Sequence, residues 1–229
     1  KSLVENYCKK NNLRLFSIIQ AHGIAVMAPI EYIPENMFRR QLEVNFFGYV
    51  NVTQEFFPLI RKHTEEYKDR PGRFMWFGTG GGVPATSPPL ISGYMCSKWA
   101  TEAFCQSMRL EMQLRQYNID CLMINPGIVK PTGLEGASLK ILENTYKAMP
   151  AIAKEEYGTF IEKFTRFNAN EVGIHPKFVA DAVARGILTV KPPLRYKVGF
   201  ESVISPFVGL VPTQIREKLM KLAMFEHDL

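Results

Sequence analysis

Cysteine is scarce in this 229-residue chain: Cys8, Cys96, Cys105 and Cys121 form no C-x-x-C pair and have few histidines near them. That spacing excludes a disulfide framework and the usual zinc modules, so free thiols and no metal site are expected. Blocks of Lys or Arg are also missing. The 28 basic and 22 acidic residues leave a scattered net charge of +6. This speaks against a nucleic-acid stripe while remaining compatible with an anionic cofactor or membrane surface. No apolar run reaches the length of a membrane span, since the most apolar late stretch, VISPFVGLVP, is short and broken by prolines. The opening KSLVENYCKKNN has the pattern of an amphipathic helix rather than of a signal peptide. With no repeat or low-complexity linker to divide it, the chain reads as one domain over residues 1–229. Its 46% apolar and 22% charged residues suit a globular fold with a sizeable core.

Continuous apolar runs alternate with longer helical patterns. A strand-length run covers residues 13–19. A helix begins at Pro34 and runs to about Lys62, and a polar connector then precedes the strand pattern RFMWF. Glycine-rich GTGGGVPATSPP leads into a helix, followed by IDCLMINPG, helical insertions over 131–170, the helix HPKFVADAVARGIL and a last strand RYKVGF. Strands without polar alternation, separated by helices, predict an α/β domain whose mostly parallel sheet is covered on both faces. Ligands of such sheets bind beyond the carboxyl ends of the strands, where QAHG, GTGGG and NPG all fall.

Two features carry chemistry. In SGYMCSKWATEAF, Tyr94 and Lys98 stand four apart and share one helical face. A nearby ammonium lowers a phenol's pKa from its usual value of about 10, which would make the pair a proton-transfer device. Otherwise they are two residues that merely share a face. The second feature is Asn45, an amide on the otherwise apolar stripe Phe38, Leu42, Tyr49, Val52, Phe56. A buried amide left unpaired costs about 1–3 kcal/mol. Asn45 is therefore either a structural bracket to a neighbouring element or an amide holding a water or carbonyl beside a reaction centre.

Together, EVNFFGYVNVTQEFFPLIRK, YMCSKWATEAF and INPG resemble the short-chain dehydrogenase/reductase superfamily. EEYGTFIEKF, HPKFVADAVARGIL and RYKVGFESVISPFVGLVPTQI extend the resemblance to its branch of retinol, hydroxysteroid and hydroxybutyrate dehydrogenases. The resemblance implies a Rossmann-like, doubly wound sheet and an NAD- or NADP-dependent oxidoreductase. It would interconvert a secondary or retinoid-type alcohol and its carbonyl, a role in steroid or retinoid metabolism. Tyr94 would be the general acid/base, Lys98 would lower its pKa and bind the nicotinamide ribose, and Asn45 would hold a relay water. It further implies small apolar alcohol or ketone substrates chosen by the 131–170 loops and cap, and a homodimer or homotetramer. Peripheral contact with an endoplasmic-reticulum or mitochondrial membrane is implied too, with a cytoplasmic location as the alternative. The C-terminal mixture of large apolar residues with Lys and Arg suits a membrane interface and a pocket cap equally well.

The chain also departs from the family. Aligning Gly82 with the glycine that follows the family serine puts Thr79 at the serine position, where it keeps a hydroxyl for the substrate oxygen. Where relatives have Asn-Asn-Ala-Gly, this chain has Gln20, Ala21, His22 and Gly23. Gly23 still permits backbone approach by the cofactor, and His22 is assigned no chemical role. Pro126 and Gly127 match the turn near the nicotinamide, and Thr132 is the displaced counterpart of the threonine that follows it. The T-G-x-x-x-G-x-G fingerprint is absent, and GTGGG does not open a helix. The expectation is a C-terminal portion of the family domain lacking the first βαβ units, inactive alone. The rival reading is a non-catalytic scaffold.

Overall fold

The computed structural model describes residues 1–80, 87–170 and 172–225. Strands β1 (Ser17–Gln20), β2 (Gly72–Phe77), β3 (Ile119–Pro126) and β4 (Arg195–Val198) form one parallel sheet in the order β1-β2-β3-β4. Helix α1 (Ser2–Lys10) precedes β1. Helices α2 (Glu35–Leu42) and α3 (Gly48–Glu66) lie between β1 and β2, and α4 (Ser92–Leu114) lies between β2 and β3. Between β3 and β4 come α5 (Gly133–Ala148), α6 (Ala151–Asn170) and α7 (Pro176–Leu188); α8 (Phe200–Val208) and α9 (Thr213–Phe225) follow β4.

The apolar strands bury both faces, as their lack of alternation predicts. Phe74, Trp76, Cys121 and Met123 pack with Tyr49 and Ile60 of α3 and with Cys105, Met108 and Met112 of α4. Met75, Leu122 and Ile124 point the other way, against Val179 and Ala182 of α7. Complete burial of a side chain such as Phe74 is worth about 1.5–3 kcal/mol. Because strand order advances in one direction while α7 lies opposite α3 and α4, the last crossover has the opposite hand to the first two. The long α5–α6 excursion precedes it. Leu142, Met149, Ala153, Ile161 and Phe164 of that excursion build a further cluster around Leu90.

Two sequence expectations shift. The apolar run at 13–19 forms a strand only from Ser17, where pairing with Arg73 of β2 begins, and extends to Gln20. The long helix from Pro34 is interrupted by a π-turn at Glu43–Phe47. The extra residue in that turn re-spaces the buried stripe into steps of four: Gln41, Asn45, Tyr49 and Thr53. Phe38, Leu42, Val52 and Phe56 are consequently only half-buried. Among the described residues no helix is long and apolar enough to cross a membrane.

Candidate active site

The carboxyl ends of β1, β2 and β3 converge on the first two turns of α4. Lys98 is 3% exposed, and its Nζ donates to the Phe77 carbonyl at the end of β2 at 2.7 Å. The ammonium sits 5.5 Å from the Tyr49 ring centroid and 5.7 Å from that of Tyr94. No carboxylate pairs with it among the described residues. Burial therefore disfavours the charge and pulls the lysine pKa from 10.5 down to about 8. The two ring faces and the carbonyl supply partial compensation.

Tyr94 is half-buried beside it. Burial raises its phenol above the usual 10, and a polar contact with Thr79 acts against that rise. This differs from the expectation that Lys98 lowers the phenol's pKa. The lysine's hydrogen bond goes to Phe77, its ammonium lies over the tyrosine ring, and Thr79 supplies the opposing effect. Thr79 is thus brought against Tyr94, while Gly82, used to align it, lies outside the described residues.

Asn45 sits in the π-turn and is completely buried. Its Oδ1 accepts from the Ile24 N–H at 2.8 Å. Its Nδ2 donates to the Ile24 carbonyl at 2.8 Å and to Ser97 Oγ at 2.9 Å. The amide therefore brackets the segment after β1 to α4, and both its N–H groups are used. Its flank still faces the centre. A Cβ at Gly23 would lie 3.4 Å from Asn45 Oδ1 and 3.6 Å from Lys98 Nζ, so the Gly23 backbone runs close to both groups. His22 lies edge-on to Tyr49, with ring centroids 4.5 Å apart. Tyr49 in turn donates its hydroxyl to the His22 carbonyl at 2.8 Å. Pro126 ends β3, and the Gly127 N–H donates to the Val198 carbonyl at 2.7 Å. Thr132 is exposed at the N-cap of α5 and makes no side-chain cap bond there.

The sequence reading missed two buried polar residues next to this group. Glu102 continues the Tyr94–Lys98 face by one more turn, and Asn125 immediately precedes Pro126. They are 2% and 3% exposed and hydrogen-bond each other at 2.6 Å. An acidic residue at the same four-residue interval was the available signal for Glu102.

A parallel sheet covered on both faces, with a lysine–tyrosine pair at its carboxyl rim, defines an α/β domain of the dinucleotide-binding type. The chain belongs to the short chain dehydrogenase family, whose sequence profile matches residues 2–140. It is 30% identical to the uncharacterized oxidoreductase YusZ of Bacillus subtilis (strain 168), covering 91% of this chain and 70% of the relative. It is 26% identical to 17-beta-hydroxysteroid dehydrogenase type 6 of Bos taurus, covering 89% of this chain and 61% of the relative. The chain thus spans less than two thirds of the length of the second. The fold matches a short chain dehydrogenase/reductase from Burkholderia phymatum in complex with NAD, with a TM-score of 0.66 and 16% identity. That match covers 95% of this chain and 72% of the other.

Proposed function

We propose that the full-length protein is an NAD- or NADP-dependent oxidoreductase interconverting a secondary or retinoid-type alcohol and its carbonyl. The bovine hydroxysteroid dehydrogenase adds hydroxysteroids to the substrate classes to test. The observation that carries this reading is the meeting of Tyr94, Lys98 and Thr79 beside the Gly23 backbone. A buried ammonium without a carboxylate partner, next to a bare glycine backbone, fits the hydroxyl-bearing nicotinamide ribose of such a cofactor. Lys98 and Gly23 would hold that half of it, with Pro126 and Gly127 as the adjoining turn and Thr132 as a further contact. When bound, the nicotinamide supplies or accepts the hydride.

The chain's own residues handle the proton. Tyr94, kept protonated at neutral pH by burial, donates its phenolic proton to the carbonyl oxygen during reduction and recovers it from the alcohol in reverse. Thr79 offers its hydroxyl to the same oxygen. Lys98 serves the cofactor side of the centre, and Asn45 keeps the segment after β1 in register with α4. Saturable consumption of NADH or NADPH by the full-length protein with a steroid, retinoid or small aliphatic ketone tests this. No turnover across that panel would overturn it.

Lys98 also predicts a pH limit. Its charge is complete below about pH 8 and is lost as pH rises through that value. The kcat/KM for the dinucleotide, which reports the free enzyme, is expected to be level at neutral pH. Above about pH 8 it should fall roughly tenfold per pH unit. A profile still level at pH 10 would remove Lys98 from cofactor binding.

Residues 131–170 are proposed as the substrate-facing cap, since their cluster closes over Leu90, Ile91 and Met27. Self-association is proposed along α3 and α4, where Leu110 and Leu114 are exposed beside a groove lined by Phe57, Met112 and Tyr117. Peripheral contact with an endoplasmic-reticulum or mitochondrial membrane is proposed through α8 and α9. Exposed Phe200, Phe207 and Leu210 there accompany exposed Lys218 and Lys221.

A further inference from the structure

We infer that Glu102 is a positioning residue that sets Thr79 against Tyr94 through the amide of Asn125. Its catalytic consequence rests on the oxidoreductase reading above. Tyr94, Lys98 and Glu102 follow one another at four-residue steps on α4, yet Glu102 turns away from the lysine and under the strand ends. Its Oε1 accepts from Asn125 Nδ2 at 2.6 Å, and its Oε2 accepts from Arg195 Nε and Nη2, each at 2.9 Å. A buried carboxylate is tolerated because both oxygens are satisfied and one faces a guanidinium.

The connection to Thr79 has a direction. Asn125 Nδ2 donates to Glu102 and also to the Thr79 carbonyl at 3.0 Å. Both neighbours are acceptors only, so the amide cannot flip without setting its own oxygen against them. The carboxylate therefore orients the amide, and the amide tethers Thr79, whose polar contact acts on the Tyr94 phenol. Gly78 lets the strand end press directly on this tether, since a Cβ there would lie 2.7 Å from Asn125 Nδ2. The Asn125 carbonyl accepts from Ser202 Oγ at 2.5 Å, which brings in the start of α8. One carboxylate thus fixes α4, β3, β4 and the loop after β2 relative to one another.

A purely structural ion pair between α4 and β4 would also bury Glu102, and the test separates the two roles. Glu102→Gln cannot accept from both partners, because one end of the new amide is a donor. In the full-length protein it is expected to lower kcat about 10–100-fold with KM nearly unchanged, the scale of a small misplacement at a reacting centre. The Tyr94 titration, assigned by its disappearance in Tyr94→Phe and followed by ultraviolet difference absorbance, should move to higher pH as the Thr79 contact loosens. On a Thr79→Ala background Glu102→Gln should cost nothing further in kcat, the signature of one shared pathway. Asn125→Ala, which cuts the tether but leaves Glu102 paired with Arg195, should reproduce both changes and serves if Glu102→Gln does not fold. A loss that adds to that of Thr79→Ala, or an unmoved phenol titration in Asn125→Ala, overturns the inference. If the unsubstituted protein turns over no substrate, the oxidoreductase reading fails, and the phenol titration still decides the positioning.

Discussion

Tyr94→Phe in the full-length protein is expected to lower kcat for carbonyl reduction by about 10²–10⁴-fold, the usual worth of a positioned general acid. Nicotinamide binding should change only slightly. The substitution removes a hydroxyl whose polar contact is with Thr79 and keeps the ring over which Lys98 sits at 5.7 Å. Loss of one neutral hydrogen bond costs about 0.5–1.5 kcal/mol, so the fold persists and the kinetic effect is not an unfolding artefact. Burial holds the phenol above its usual range, so at neutral pH the wild-type group is a full proton donor, matched to reduction. The reverse reaction has to generate phenolate beside Lys98, and should lose at least as much in the variant. Single-turnover kinetics with preformed enzyme–cofactor complex separates the chemical step from binding. Hydride transfer at the wild-type rate in Tyr94→Phe would mean that the proton comes from another group, and Tyr94 would lose its assigned role.

The sheet, its parallel sense and the order of its helices were readable because each rests on local pattern. RFMWF and IDCLMINP lack polar alternation and lie buried on both faces, as β2 and β3 do. The pairing of Tyr94 with Lys98 was equally readable, since helical spacing alone puts them on one face. The π-turn was not. One inserted residue at Glu43–Phe47 costs little locally, yet it moves the buried face from Leu42 to Gln41 and from Val52 to Thr53. The sequence reading therefore placed Asn45 on an apolar seam, whereas its buried neighbours Gln41 and Thr53 are polar. The electrostatics of the centre were also hidden. Lys98 donates its hydrogen bond to a carbonyl 21 residues away, and Asn125 reaches back 46 residues to Thr79. Such contacts follow from how strand ends meet α4, not from any spacing in the chain. They explain why the expected influence of Lys98 on Tyr94 gives way to that of Thr79.

Lys98→Met should stabilise the protein without cofactor while removing turnover. The displacement of the lysine pKa from 10.5 to about 8 corresponds to roughly 3 kcal/mol against the charged form at neutral pH. Methionine keeps most of the side-chain length and buries no charge. The Phe77 carbonyl loses its donor, since the single Tyr49 hydroxyl proton goes to the His22 carbonyl at 2.8 Å, and this offsets part of the gain. Allowing for the bared carbonyl and the lost ammonium–ring contacts, a net gain of about 1 kcal/mol is expected. For a chain of this size that raises Tm by about 2–4 °C per kcal/mol. The sign of the pH dependence follows from linkage. Between pH 8 and 10.5 the unfolded chain holds the Lys98 proton and the folded chain does not, so wild-type stability from this group rises with pH across that window. The advantage of Lys98→Met should be complete below about pH 8 and should vanish above about pH 10.5. Urea unfolding of both proteins across that range reads it directly. A variant less stable than wild type at pH 7 would show that the rings and the carbonyl more than offset the cost of the charge. A more stable Lys98→Met protein would mean that the centre gives up stability to keep this ammonium buried, as the proposed cofactor site requires.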